Sequence, residues 1–283
     1  MKTIVVAIDF SKWSIYAIKY AIRIANQVEA DIELVWVDKA ASARPVYLDY
    51  KTKYLVGIKA KFEELVEKYK HRLSKGKLSY KIRKGKVYVE VVNQAKYSDA
   101  YMIVAGTHGS SGLEEFLIGS NAYRIVAAAE CPVITIRNDY CTLKNASKIL
   151  LPIDSTIETR QKIPFTAELA KYFDAEIQVL SLYKSSVDEI KKQVSLYTEQ
   201  TVKYLKKYNV RYSENSVKVE GNIAETVIQY VIDNNIDLVS IMTEQEPSVS
   251  SLILGTYAQQ IVNHCSIPVL SFHAADIFDI ATR

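Results

Sequence analysis

Apolar positions along the chain alternate between two periods, and the alternation itself repeats. Ile4 to Ile8 is an unbroken apolar run rich in β-branched residues, the pattern of a strand buried on both faces of a parallel sheet. Behind it Ile15, Ile18, Ala21, Ile22, Ala25 and Val28 recur at helical spacing, preceded by Ser11, a residue suited to cap the helix. Ile32 to Val37 predicts a second strand, the stripe Tyr54, Ile58, Phe62, Leu65, Val66 and Tyr69 a second helix, and Ser79 to Arg83 a shorter third strand. Val87 to Ala95 then reads as helix, Met102 to Ala105 as strand, Gly119 to Ala129 as helix and Val133 to Ile136 as strand. The same βαβαβαβαβ order returns between Ile149 and Phe272.

The recurrence extends to residue identity. "IVVAIDFSKWS" at Ile4 is echoed by "ILLPIDSTIET" at Ile149, and "ADIELVWV" at Ala30 by "AEIQVLSL" at Ala175, each 145 residues on. Gly85 pairs with Gly221, Gly119 with Gly255 and Pro132 with Pro268, each 136 residues on, so the first copy carries a longer connection between Val37 and Gly85. A chain of 283 residues is comfortable for two domains of about 140 each. The expected division is 1–140 and 147–283, across the polar stretch "NDYCTLKNAS". Strands that alternate with helices require right-handed crossovers, which place helices on both faces of a parallel sheet. The expected fold class is therefore α/β, two tandem doubly wound domains, each with a five-stranded parallel sheet. Both fifth strands, "CPVITIRN" and "IPVLSFHAA", are apolar enough to make an unpaired edge a liability. The two copies could pair these edges about a pseudo-twofold axis, the alternative being an edge covered by the linker or by the C-terminal segment.

Ligands of doubly wound sheets bind beyond the carboxyl ends of the strands, where the strand order reverses. That directs attention to Asp9, Val37 and the segment "GTHGSSGLEEFLIGSNAYR", which holds four of the nine glycines. It follows the fourth strand and enters a helix at Gly119-Ser120. Glycine permits positive φ and close backbone approach, and exposed N-H groups at a helix start attract anions, so phosphate is the natural guest. Ser120 and Asn121 could add donors. A plain turn is the competing reading. No Gly-Lys-Ser/Thr follows, and the first βα turn reads "DFSKWS", which excludes a P-loop and a dinucleotide fingerprint. His71, His108, His264 and His273 lie in four separate places, without the spacing of a metal cluster. His108 sits in the glycine loop, either as a phosphate contact or as a solvated residue.

Composition narrows the field. A net charge of +4 with scattered Lys and Arg argues against a nucleic-acid surface, and the twenty tyrosines at helical spacings read as half-buried rings. Three cysteines without a C-x-x-C pair suit a reducing compartment, and no apolar run reaches the 18 or so residues of a membrane span. A cytoplasmic protein without membrane or nucleic-acid partners is the expectation.

Gly106-x-x-Gly109, nine residues, then Gly119-Ser120 resembles the spaced glycine signature of universal stress proteins in their ATP-binding branch. "VAIDFS" and "CPVITI" resemble that family as well, and the resemblance covers the whole chain as two tandem domains. It implies a Rossmann-like fold of the adenine nucleotide alpha hydrolase kind. Further, it implies that Gly106, Gly109, Gly119 and Ser120 hold phosphates with Asn121 adjacent, that Asp9 lies near ribose and phosphates, and that Val37 contacts adenine through its backbone. ATP, ADP or AMP would be the ligand, magnesium or manganese could accompany it, and single-domain relatives form dimers. Hydrolysis would at most be slow, since no constellation of base, cation and metal ligands is evident.

The second copy departs from the signature. Met242 and Gln245 stand where Gly106 and Gly109 stand, and Glu244 and Glu246 add negative charge, while Asp154 and Gly255-Thr256 remain. One competent nucleotide site is expected, in the first domain. A structural or interaction protein, whose loop binds an anion only incidentally, is the alternative.

Overall fold

The computed structural model describes residues 1–39, 48–107, 119–137, 146–243 and 254–274, with the backbone alone for 48–53. In the first half β1 (Lys2–Ala7), α1 (Lys12–Val28), β2 (Ala30–Asp38), α2 (Leu48–Lys70), β3 (Leu78–Lys84), α3 (Val87–Tyr97), β4 (Met102–Gly106), α4 (Ser120–Ala128) and β5 (Val133–Ile136) follow one another. The second half runs β6 (Lys148–Ile153), a 3-10 turn (Ile157–Arg160), α5 (Ile163–Phe173), β7 (Glu176–Tyr183), α6 (Asp188–Lys207), β8 (Tyr212–Lys218), α7 (Ile223–Asp233), β9 (Leu238–Thr243), α8 (Thr256–His264) and β10 (Val269–His273). The order matches the periodicity, and the ends differ by a few residues. α3, for instance, runs past its apolar stripe to Tyr97, which is 83% exposed and so leaves no hydrophobic trace.

Within each half all strands are parallel, in the orders β3-β2-β1-β4-β5 and β8-β7-β6-β9-β10. Both orders reverse beside the first strand of the copy, which places a switch point between β1 and β4 and another between β6 and β9. The halves meet where β5 and β10 pair antiparallel, Val133 with Ser271, Ile134 with Leu270 and Thr135 with Val269. That pairing joins them into one ten-stranded sheet. The apolar fifth strands thus cover each other: Ile134 and Leu270 have no exposed surface.

Helices cover both faces. On one, α1 and α2 lay Ile18, Ile22, Ile58 and Phe62 over Ile4, Val6 and Ile32, and the same cluster continues across the junction to Ile149, Leu151 and Leu169. On the other, α3 and α4 set Val91 and Ile125 against Val5, Val35 and Ile103. Each such side chain contributes about 1.5–3 kcal/mol when withdrawn from water, which far exceeds helix propensity as the cause of the arrangement. Aromatic side chains bind the halves at the junction: Tyr101 lies 4.7 Å from Phe165, and Phe165 5.6 Å from Phe272. Lys2 places its ammonium over the Tyr101 ring at 4.1 Å and bonds Glu168 of α5 at 2.5 Å. No described helix is long and apolar enough to cross a membrane.

Local chemistry explains the turns that lead to the switch points. Ser11 caps α1, its hydroxyl accepting from the Ser14 N-H at 3.3 Å. Gly85 and Gly221, equivalent in the repeat, both have positive φ, +141° and +95°, which side chains rarely adopt.

Candidate functional site

A cleft of about 520 Å³ opens at the switch point of the first half. Asp9, Val37, Gly106, Gly119, Ser120 and Asn121 all line it, drawn from the ends of β1, β2 and β4 and the start of α4. His108 and Gly109 lie outside the described residues, as does Gly112. The volume falls in the range of small-molecule sites, about 300–1,000 Å³.

Each lining element carries a distinct chemistry. After β1 the chain turns through Phe10, whose φ of +64° is unusual for an aromatic residue and costs about 1–3 kcal/mol. Contact with Phe62, ring centroids 5.0 Å apart, holds Phe10 in place. The turn brings the Asp9 carboxylate over the start of α1, where it accepts from the Ser11 N-H at 3.0 Å.

At β2, register determines what Val37 presents. The Ile8 N-H donates to the Val35 carbonyl at 2.8 Å, so Val35 directs its backbone toward β1, and Val37, two residues on, does the same. β1 has ended at Ala7 by then, and among the described residues no backbone bond joins Val37 to Ile8. The Val37 N-H and carbonyl therefore face the cleft, as backbone recognition of a flat polar ring requires.

The glycine segment is closed at its neck. Thr107 donates its N-H to the Ile136 carbonyl and accepts at its own carbonyl from the Gly119 N-H, at 2.9 and 2.5 Å. Gly119 thus spends its donor on the neck, which refines the role expected of it. The first bond of the α4 ladder runs from the Tyr123 N-H to the Gly119 carbonyl at 3.1 Å. The N-H groups of Ser120, Asn121 and Ala122 precede that ladder, and Gly119 has no side chain to cap them. Uncapped donors and the positive end of the helix dipole make this turn receptive to an anion.

Gly106 also packs closely against α1. A Cβ built there would lie 2.8 Å from the Trp13 carbonyl carbon, 2.9 Å from Trp13 Cβ and 3.0 Å from Trp13 O. Its bare Cα lets α1 settle against β4, and the same residue lines the cleft.

Several lining residues carried no motif and were missed in the sequence. Trp36 and Tyr54 form an aromatic wall, their ring centroids 6.0 Å apart, and Ile58 and Lys61 extend it along α2. The i, i+4 spacing of Tyr54 and Ile58 marked a buried helix face, but nothing in it pointed to a ligand. Lys61 sits 5.4 Å from the Phe10 ring at the rim, and with Lys39 it balances Asp9 and Asp38. Among the described residues no group of three or more His, Cys, Asp and Glu side chains is placed to hold a metal ion.

Among the described residues the equivalent place in the second half shows only a small void. A void of about 10 Å³ remains between Pro152, Asp154, Thr156, Lys162, Ile241, Met242 and Tyr257. By the repeat offsets five of these replace Ala7, Asp9, Ala105, Gly106 and Asn121, all of which line the open cleft. Apart from the Asp pair, every exchange puts the larger side chain in the second half. Met242 stands where Gly106 admits α1, and there the helix start is displaced: a separate 3-10 turn precedes α5, which begins only at Ile163. Pro152 has no N-H for β9, and β6 accordingly pairs with β9 only at Ile149 and Leu150, whereas β1 pairs with β4 through Ala7. Gln245, Glu244 and Glu246 lie outside the described residues.

Comparison with known proteins agrees with this architecture. The sequence profile of the universal stress protein family matches residues 1–137 and again 145–273. Universal stress protein MJ0531 of Methanocaldococcus jannaschii is 30% identical over 139 residues, 48% of this chain and 82% of that protein. Slr1230 of Synechocystis, also a universal stress protein, is 21% identical over 295 residues, covering 96% of this chain and all of its own. Among solved structures, a universal stress protein from Archaeoglobus fulgidus superposes with a TM-score of 0.76 over 96% of this chain and 98% of its own, at 15% identity. Two profile matches in tandem, a full-length relative and a shared two-copy fold lead to one conclusion: the chain belongs to the universal stress protein family.

Proposed function

We propose that the first domain binds an adenine nucleotide, ATP or its ADP or AMP form, and that occupancy of this one site regulates the protein in a stress response. The observation that carries the reading is the convergence on one 520 Å³ cleft of a carboxylate, an unused strand backbone and an uncapped helix start. Membership of the family supports it.

The residues divide the ligand between them. Val37 would offer its N-H and carbonyl to the adenine edge, with Trp36 and Tyr54 supplying the apolar wall beside the base. The N-H groups of Ser120, Asn121 and Ala122, with the Ser120 hydroxyl, would take the phosphates, to which the family resemblance also assigns Gly109, and His108 is a further candidate contact. Asp9 would face the ribose and phosphates, and a magnesium ion accompanying the phosphates would help to neutralise their charge. The cleft carries two lysines against two carboxylates among its described lining, so an added phosphate chain meets no net opposing charge. Binding rather than turnover is the activity assigned, with hydrolysis at most slow.

The second domain is assigned a structural role, supported by the small void among its described residues and by the pairing of its fifth strand with β5. Mass spectrometry of small molecules released from the purified protein tests the reading, together with melting in graded ATP. A retained adenine nucleotide and a midpoint that rises with ATP are expected. No retained nucleotide and no ATP-dependent shift would favour a scaffold whose loop meets anions incidentally.

A further inference from the structure

The second half differs from the first by more than bulk. Lys162 stands where the repeat places Ala17 in the first half, and only 2% of it is exposed. An ammonium group taken from water costs several kcal/mol unless it is paired and hydrogen-bonded, so a buried lysine at this position requires a reason. Its Nζ donates to the Thr159 carbonyl at 2.7 Å and to Thr159 Oγ1 at 3.0 Å. The same Thr159 Oγ1 accepts from the Asp154 N-H at 3.3 Å, which links the ammonium to the end of β6. Asp154 lines the same void of about 10 Å³, and its carboxylate favours the charged amine. That space is about the size of one water, enough for a single bridge and no more. Asp154 Oδ1 accepts from Thr156 N and Thr156 Oγ1 at 2.8 and 2.5 Å, which fixes the carboxylate at the end of β6.

We propose that Lys162 is a built-in cation for Asp154, so that the second domain carries within its own chain the positive charge that a ligand and its metal would bring to an open cleft. Small residues at Ala7, Ala105 and Gly106 line the open first cleft, and Pro152, Ile241 and Met242, with Lys162 beside them, supply volume and charge in the second. The second domain is thereby complete without ligand, a fixed partner for a first domain that fills and empties. The inference concerns contacts internal to the second domain and stands whether or not the first binds nucleotide.

A double-substitution cycle on the full chain tests it, with Lys162→Met, Asp154→Asn and the pair together. The readout is hydrogen exchange of peptides covering β6 and the 3-10 turn. Each single change is expected to speed local exchange, and the pair by clearly less than the product of the two factors, because removing both charges leaves neither stranded. Independent factors would overturn the proposal, showing that the lysine contributes only its aliphatic stem. A second measurement needs no variant: brief acylation of the native protein, read lysine by lysine, should leave Lys162 among the last modified and label it freely after unfolding. Labelling of native Lys162 as fast as that of surface lysines would also refute the proposal. Addition of ethylammonium to a Lys162→Ala chain should restore protection to the same peptides, and the absence of any effect would count against the charge.

Discussion

Gly106→Ala adds one methyl group where the fold allows none. The new Cβ would meet the Trp13 carbonyl carbon at 2.8 Å and Trp13 Cβ at 2.9 Å, whereas unstrained carbon contacts lie at about 3.5–4.0 Å. The obstacle is helix backbone and not a side chain that could swing aside, so the start of α1 must retreat by about half an ångström or more. Overpacking of this kind costs about 1–3 kcal/mol. With a urea dependence of about 2 kcal/mol per M, the unfolding midpoint of the first domain should fall by about 0.5–1.5 M. Both tryptophans, Trp13 and Trp36, lie in the first half, so tryptophan emission follows this domain alone. A retreat of α1 also moves Ser11 and with it the Asp9 carboxylate, so affinity for ATP should drop along with stability. An unchanged midpoint and unchanged Trp13 emission would refute the claim that this glycine exists for helix approach. The second half has made the corresponding exchange already, with Met242 against a displaced 3-10 turn.

Burial lowers the Lys162 pKa from 10.5 to about 8, with Asp154 opposing the shift. The unfolded chain thus holds this proton between about pH 8 and 10.5 when the folded chain has released it, so stability rises with pH across that window by about 3 kcal/mol at most. Urea unfolding of wild type against Lys162→Met from pH 7 to 10.5 should show their difference shifting toward wild type, and a constant difference would contradict the burial. Leu270→Asp puts a carboxylate into the pairing of β5 with β10, where Leu270 has no exposed surface, and calorimetry should show a lowered melt that splits into two transitions. Ser11→Ala removes the cap of α1 and should cost about 1 kcal/mol in the tryptophan-detected transition, with no change at β6 in hydrogen exchange.

Element order was legible because buried parallel strands and amphipathic helices leave different periods in the sequence. The pairing of the halves was legible too, since two apolar edge strands need cover and the copies could supply it to each other. Other features depend on neighbours far apart in sequence, and no local pattern encodes them. Nothing local to Gly106 shows that a Cβ there would meet Trp13 of α1. The cleft-facing backbone of Val37 follows from β1 ending one turn too soon to pair with it. Lys162 belongs by type to the surface, yet it is buried at the start of α5, behind a 3-10 turn that the first half lacks. The glycine signature shares Gly106, Gly119 and Ser120 with the cleft, whereas Trp36 came from a strand, and Tyr54 and Lys61 from a helix, whose patterns spoke only of packing.

The central claim is one nucleotide site per chain, in the first domain. Calorimetric titration of the full chain with magnesium ATP, followed in parallel by tryptophan emission, measures it directly. The account predicts one nucleotide per chain, with a change in emission because Trp36 lines the cleft, and loss of both signals in Asp9→Ala. Two equivalent nucleotides per chain, or one bound with no response from Trp36 and no dependence on Asp9, would contradict it.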